Sequence, residues 1–136
     1  MWTAASGLME HDDLGMPLPP HGDLSHWARQ GILMLNASLT VEAGKPMSHA
    51  QIGWETFTDA VIRKVSEQKQ GVIFVLWGRF SQQKESLIDP RKHVVLKAAH
   101  PSPFSAYNGF FGCRHFSKIN ALLAPEIQFY PDELLP

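Results

Sequence analysis

Three short apolar runs and several periodic stretches divide the chain. Ile32–Asn36 is a continuous apolar run that ends on a polar residue, the pattern of a strand buried on both faces of a parallel sheet. Val72–Trp77 and His93–Ala99 are two further short apolar runs bounded by turn residues, and each reads as a buried strand. Trp54, Phe57, Val61, Ile62 and Val65 recur at helical spacing. That spacing predicts an amphipathic helix over Trp54–Gln68, closed by Gly71. Leu24–Gln30 predicts a short helix, with Asp23 as its N-cap and Gly31 just past its end. Arg79–Lys84 predicts another, and Phe116–Leu123 the last. Glu10–Pro20 is a Pro-rich approach segment, Ala43–Ile52 and Leu87–Lys92 are loops, and a tail begins at Pro125. The order strand, helix, strand, helix, strand predicts an α/β fold with a parallel sheet and right-handed crossovers.

Composition narrows the class. At 136 residues, the chain fits one small domain. Apolar residues make up 44% and charged residues 18%, enough of the first for a core and too few of the second for a disordered segment. The lone Cys113 excludes an internal disulfide and suits a reducing compartment. No apolar run approaches the roughly 20 residues of a membrane-spanning helix. The net charge of −1 does not announce nucleic acid, but its distribution is uneven. Between Arg63 and Lys118 ten Lys/Arg face three Asp/Glu (Glu67, Glu85, Asp89), a candidate phosphate-facing segment. The plainer reading of the same charges is a solvated surface.

Candidate chemistry concentrates in His100–Phe116, which reads HPSPFSAYNGFFGCRHF. Pro101 and Pro103 lack an N–H and push their neighbours toward extended backbone, so the segment cannot be helical at its start. His100 stands where the third strand ends and a rigid loop begins, and that strand end is where α/β sheets bind ligands. Asn36 stands at the end of the first strand, with an amide that offers both a donor and an acceptor. Other readings fail on spacing. Ser102 has no Gly-x-Ser-x-Gly elbow, no glycine-rich run leads into Lys-Ser/Thr, and no histidine–cysteine spacing fits a metal site.

The stretch HPSPFSAYNGFFGCRHFSKIN resembles the DNA-intercalation loop of the family 1 uracil-DNA glycosylases, where His-Pro-Ser-Pro-Leu-Ser is followed by Gly-Phe-Phe-Gly. Gly31–Val41, GILMLNASLTV, resembles the uracil-recognition strand of that family. His21-Gly22-Asp23-Leu24 with Trp27-Ala28, Gly53-Trp54-Glu55, Phe57-Thr58-Asp59-Ala60 and Leu76-Trp77-Gly78 agree with it. The resemblance runs over residues 8–130 and corresponds to the C-terminal part of the family domain. It implies a three-layer α/β/α arrangement around a parallel sheet, with one of the family's four strands missing, so residues 1–136 are expected to form a single partial domain. Without that strand, Ile32–Asn36 is expected either to pair with an unaccustomed neighbour or to hang partly unpaired.

The resemblance also implies roles. Asn36 would match uracil O4 and N3–H and mismatch the cytosine amino group. His100 would donate a hydrogen bond to the negative charge that develops on uracil O2, as a neutral imidazole. Pro101, Ser102 and Pro103 would form the rim that compresses the DNA backbone, with Ser105 in the same loop. Phe104 stands where the family usually has a leucine that wedges into the duplex, Tyr107 flanks it, and Asn108 replaces an arginine common in the family, so one phosphate contact is lost. Ser48-His49 resembles a Ser-His segment of the family without a chemical role for His49. His11, His21, His26, His93 and His115 read as structural or surface residues.

The family's water-activating motif, Gly-Gln-Asp-Pro-Tyr-His, and the phenylalanine that stacks on the flipped base are absent from this sequence. The expected function is therefore that of a uracil-DNA glycosylase, hydrolysing the N-glycosidic bond of flipped uracil, with little activity in this chain by itself. The alternative is a non-catalytic fragment or pseudoenzyme that binds DNA or a protein. Expected partners are uracil-containing DNA and a glycosylase-inhibitor protein at the same face. No cofactor, metal or membrane is expected. The chain is expected to be a monomer inside the cell, in the cytoplasm of a bacterium or the nucleus or mitochondrion of a eukaryote.

Overall fold

The computed structural model describes residues 12–15, 23, 25–102 and 104–123. Its elements are α1 (Ser25–Arg29), α2 (Trp54–Gln68), β1 (Ile73–Trp77), α3 (Arg79–Gln82), β2 (Val94–Ala98) and α4 (His115–Leu123), with 3-10 turns at Gln83–Leu87 and Ala106–Asn108. They fall into two compact units, residues 35–97 and residues 1–34 with 98–136.

In the unit of residues 35–97, α2 spans the expected Trp54–Gln68. Its last carbonyls are met by a cation and by an imidazole. Lys92 Nζ donates to the Ser66 and Glu67 carbonyls at 3.0 and 2.9 Å, a favourable place for positive charge. His93, which is buried, bridges α2 and the start of β1. The Val72 N–H donates to Nδ1 at 3.1 Å, and Nε2 lies 2.8 Å from the Ser66 carbonyl. A carbonyl only accepts, so the ring proton sits on Nε2. The strands pair from the same end. Gly71 N donates to Lys92 O at 2.9 Å and Val94 N to Val72 O at 3.0 Å, so the two-stranded sheet is parallel. The expected helix from Arg79 is a single α turn that tightens into 3-10 geometry, held by Lys84 against Asp59 at 2.9 Å and Glu55 at 3.4 Å.

In the other unit, Asp23 caps α1. Its Oδ1 accepts from the Ser25 N–H at 2.8 Å and the Ser25 hydroxyl at 2.6 Å. Gly31 ends the helix with φ +88°. Gly31 N bonds to Ala28 O and Ile32 N to Trp27 O, the paired closure that a left-handed glycine permits. The core gathers Trp27, Ala106, Phe110, Phe116 and Ile119, with the Trp27 and Phe116 rings 5.4 Å apart.

One expected element differs. Ile32–Asn36 is not a strand, and the sheet of the described residues has two strands instead of three. An apolar run becomes a strand only where another strand offers a hydrogen-bonding edge, and none of the described residues pairs with it. Leu33 accordingly stands 69% exposed. The boundary between the two units falls inside this run, after Met34.

Candidate functional site

The loop after β2 is built on its own hydrogen bonds. The His100 carbonyl accepts from Ser105 Oγ at 2.8 Å, and Ser102 Oγ lies 3.0 Å from Ser105 Oγ. The Ser102 carbonyl accepts from both Ser105 N and Ala106 N, at 3.0 and 2.8 Å. Pro101 and Ala106 are buried beneath, and Phe110 is buried completely. Gly109 and Gly112 take positive φ values of 130° and 84° at the turn that brings Phe110 and Phe111 back under the loop.

This scaffold fixes the orientation of His100. The Ser102 backbone N–H donates to His100 Nδ1 at 3.0 Å. Nδ1 is therefore an acceptor, and the neutral ring carries its proton on Nε2. The pKa of His100 lies below the ordinary histidine value because partial burial of the ring disfavours its charged form. His100 at neutral pH is thus a neutral imidazole that offers one N–H from an exposed residue at a strand end.

The loop brings together His100, Pro101, Ser102, Phe104, Ser105, Tyr107 and Asn108, while Pro103 lies outside the described residues. Phe104 is 91% exposed and Tyr107 85%. The Tyr107 ring rests edge-on against Phe111 at 5.0 Å. Asn108 is exposed. Asn36 belongs to the other unit, where its side chain is exposed. Its chain neighbour Ala37 is tied down, because the buried Thr58 hydroxyl of α2 donates to the Ala37 carbonyl at 3.0 Å. Beyond it, Trp54 Nε1 donates to Thr40 Oγ1 at 2.6 Å, and Thr40 Oγ1 lies 2.9 Å from His49 Nδ1. Ser48 Oγ accepts from Glu42 N at 2.8 Å. Ser48 and His49 thus organise the loop that follows Asn36.

Three contributors carry no local sequence signal of their roles. Asp13 lies in the Pro-rich approach segment, yet its carboxylate is only 2% exposed. It accepts from Ser117 N at 2.8 Å and from Arg114 Nε at 3.2 Å, so it caps α4. The available signal is negative: the residue before α4 is Arg114, at φ +56°, which offers no capping oxygen. Thr58 and His93 are the other two, each a polar residue satisfied by a distant backbone group. Five of the ten cations of the basic segment are engaged within the chain. Lys84, Arg91, Lys97 and Arg114 each form an ion pair, and Lys92 serves the end of α2. Among the described residues, no cluster of His, Cys, Asp and Glu could hold a metal ion, and no helix is long and apolar enough to cross a membrane.

The uracil DNA glycosylase superfamily profile matches residues 8–124. The chain belongs to the uracil DNA glycosylase superfamily. A uracil-DNA glycosylase of Coxiella burnetii is 58% identical over 113 residues, covering 83% of this chain and 49% of the relative. One from Rhizobium meliloti is 60% identical over 112 residues, covering 82% and 46%. The crystal structure of mimivirus uracil-DNA glycosylase superposes with a TM-score of 0.86 at 28% identity, over 94% of this chain and 52% of that one. A mimivirus UNG variant in complex with UGI superposes with a TM-score of 0.85 at 29% identity, over 94% and 54%. The chain spans about half the length of the curated relatives it matches. Superfamily membership and the parallel pairing of β1 with β2 bear out the expected α/β class.

Proposed function

We propose that this chain carries the uracil-recognition and DNA-facing part of a uracil-DNA glycosylase, acting on flipped uracil in DNA as part of base excision repair. The observation that supports it most is the bond from Ser102 N–H to His100 Nδ1, with the lowered His100 pKa. Cleaving the N-glycosidic bond leaves a uracil anion. A neutral imidazole with its proton on Nε2 can donate to the anion's oxygen, and that charge exists only as the bond breaks. A donor placed there stabilises the transition state more than the ground state. A protonated imidazole would lose the Ser102 bond that orients it.

The remaining roles follow in the same frame. Asn36 presents an exposed amide to uracil O4 and N3–H. Phe104 fills the space left by the flipped base, with Tyr107 at its side and Pro101, Ser102, Pro103, Ser105 and Asn108 as the rim against the DNA backbone. The sequence holds no Gly-Gln-Asp-Pro-Tyr-His, so the group that activates water is not among these residues. Residues 1–136 form one partial domain that works as a monomer inside the cell, and the loop face would also take a glycosylase-inhibitor protein. The mimivirus UNG variant in complex with UGI supports that last reading.

The test is a fusion of this chain to the part of the Coxiella burnetii relative that it does not cover, assayed for uracil release from an oligonucleotide. The fusion is expected to be active. His100→Ala in it is expected to lower turnover by roughly 10²–10³, the usual cost of one donor to a developing oxyanion, with DNA binding little changed. An equal loss of binding and turnover would make His100 a structural residue.

A further inference from the structure

We propose that Phe104 makes this loop a stacking reader of the base left unpaired when the target base swings out of the helix, so that the grip on DNA depends on which base stands opposite. The inference rests on the DNA-facing role proposed above and adds a specificity to it. Phe104 and Tyr107 are the two most exposed aromatic residues among those described, at 91% and 85%. No other ring of the described residues meets Phe104, whereas Tyr107 is braced against Phe111, and Phe111 against the fully buried Phe110 at 5.8 Å.

The backbone under these rings is already fixed by the paired bonds to the Ser102 carbonyl and by Ser105 Oγ on the His100 carbonyl. The backbone beneath the rings therefore loses little conformational freedom when a flat partner settles on them. Between Ala98 and Cys113 the sequence has no Lys or Arg. The tip therefore has no cation of its own for a phosphate, which leaves the polar rim to meet the DNA backbone and the exposed rings to meet the bases. An aliphatic wedge fills volume but has no face. A phenyl ring has one, and its stacking gain grows with the face of the partner, so a two-ring purine is held better than a one-ring pyrimidine.

The measurement is fluorescence anisotropy of the purified chain with duplexes that carry a stable abasic analogue opposite adenine, guanine, cytosine or thymine. Wild type is expected to bind the purine-opposed duplexes about three- to tenfold more tightly than the pyrimidine-opposed ones. Phe104→Leu is expected to bring that ratio to within about twofold while still binding, and Phe104→Tyr to keep it. Because Phe104 is exposed, none of these changes removes a core contact. DNA binding with no ratio in wild type, or with the same ratio in Phe104→Leu, overturns the reader and leaves the DNA-facing role standing. Failure of wild type to bind any duplex overturns that role and the reader with it.

Discussion

At the scale of single residues, His100 is the most constrained member of the site. Its Nδ1 is committed to Ser102 N–H, and its pKa is depressed by partial burial. Above about pH 6.5 the ring is neutral in the folded and unfolded chain alike. As pH falls below that value, the unfolded chain takes up a proton that the folded one resists, so the folded state loses stability until pH passes the lower, folded pKa. Thermal melting from about pH 7.5 to 5 should therefore show an acid-side loss that His100→Ala partly removes. Identical slopes for the two proteins would mean that the folded environment of His100 does not favour the neutral ring. Phe104 belongs to the same scale. In the active fusion, Phe104→Ala should weaken excision from duplex DNA more than from single strands, because only the duplex has to be unstacked. The same loss on both substrates would remove Phe104 from the wedge position.

At the scale of elements, the strongest periodic signals were legible and the long-range polar ties were not. The apolar spacing from Trp54 to Val65 located α2, and Asp23 and Gly31 marked both ends of α1, because those signals act over a few residues. Ile32–Asn36 misled because apolar composition reports that a segment is suited to burial, not that a partner strand is present. Asp13 was invisible for a related reason: its partner Ser117 lies 104 positions away, and no local pattern joins them. Asp13→Ala should cost about 1–2 kcal/mol of folding stability, the usual loss for a helix cap, measured by denaturant unfolding. No change would show that α4 does not depend on this carboxylate. Thr58→Val keeps the shape of a buried side chain but orphans the Ala37 carbonyl next to Asn36. A loss of about 1–2 kcal/mol is expected there as well, and unchanged stability would show that the hydroxyl is dispensable.

At the scale of the whole molecule, the family was legible because the His100–Phe116 stretch combines residue types that are rare together. The candidate DNA-facing loop was legible for the same reason, down to the exposed Phe104. The basic segment was a weaker guide, since sequence cannot distinguish a lysine that faces phosphate from Lys84, which pairs with Asp59, or Lys92, which closes a helix. We propose that this chain holds the recognition amide, the anion-stabilising donor and the wedge, but not the group that activates water. Two of the chain's aspartates are engaged in structural bonds. Asp13 is spent on α4, and Asp89 is held by Arg91, which lowers its pKa in an exposed turn. The direct measurement is uracil release by the purified 136-residue chain from a uracil-containing oligonucleotide, beside a full-length relative. A rate lower by about 10²–10⁴ is expected, the span of general acid–base help. Turnover within about tenfold of the relative would show instead that a residue of this chain activates the water.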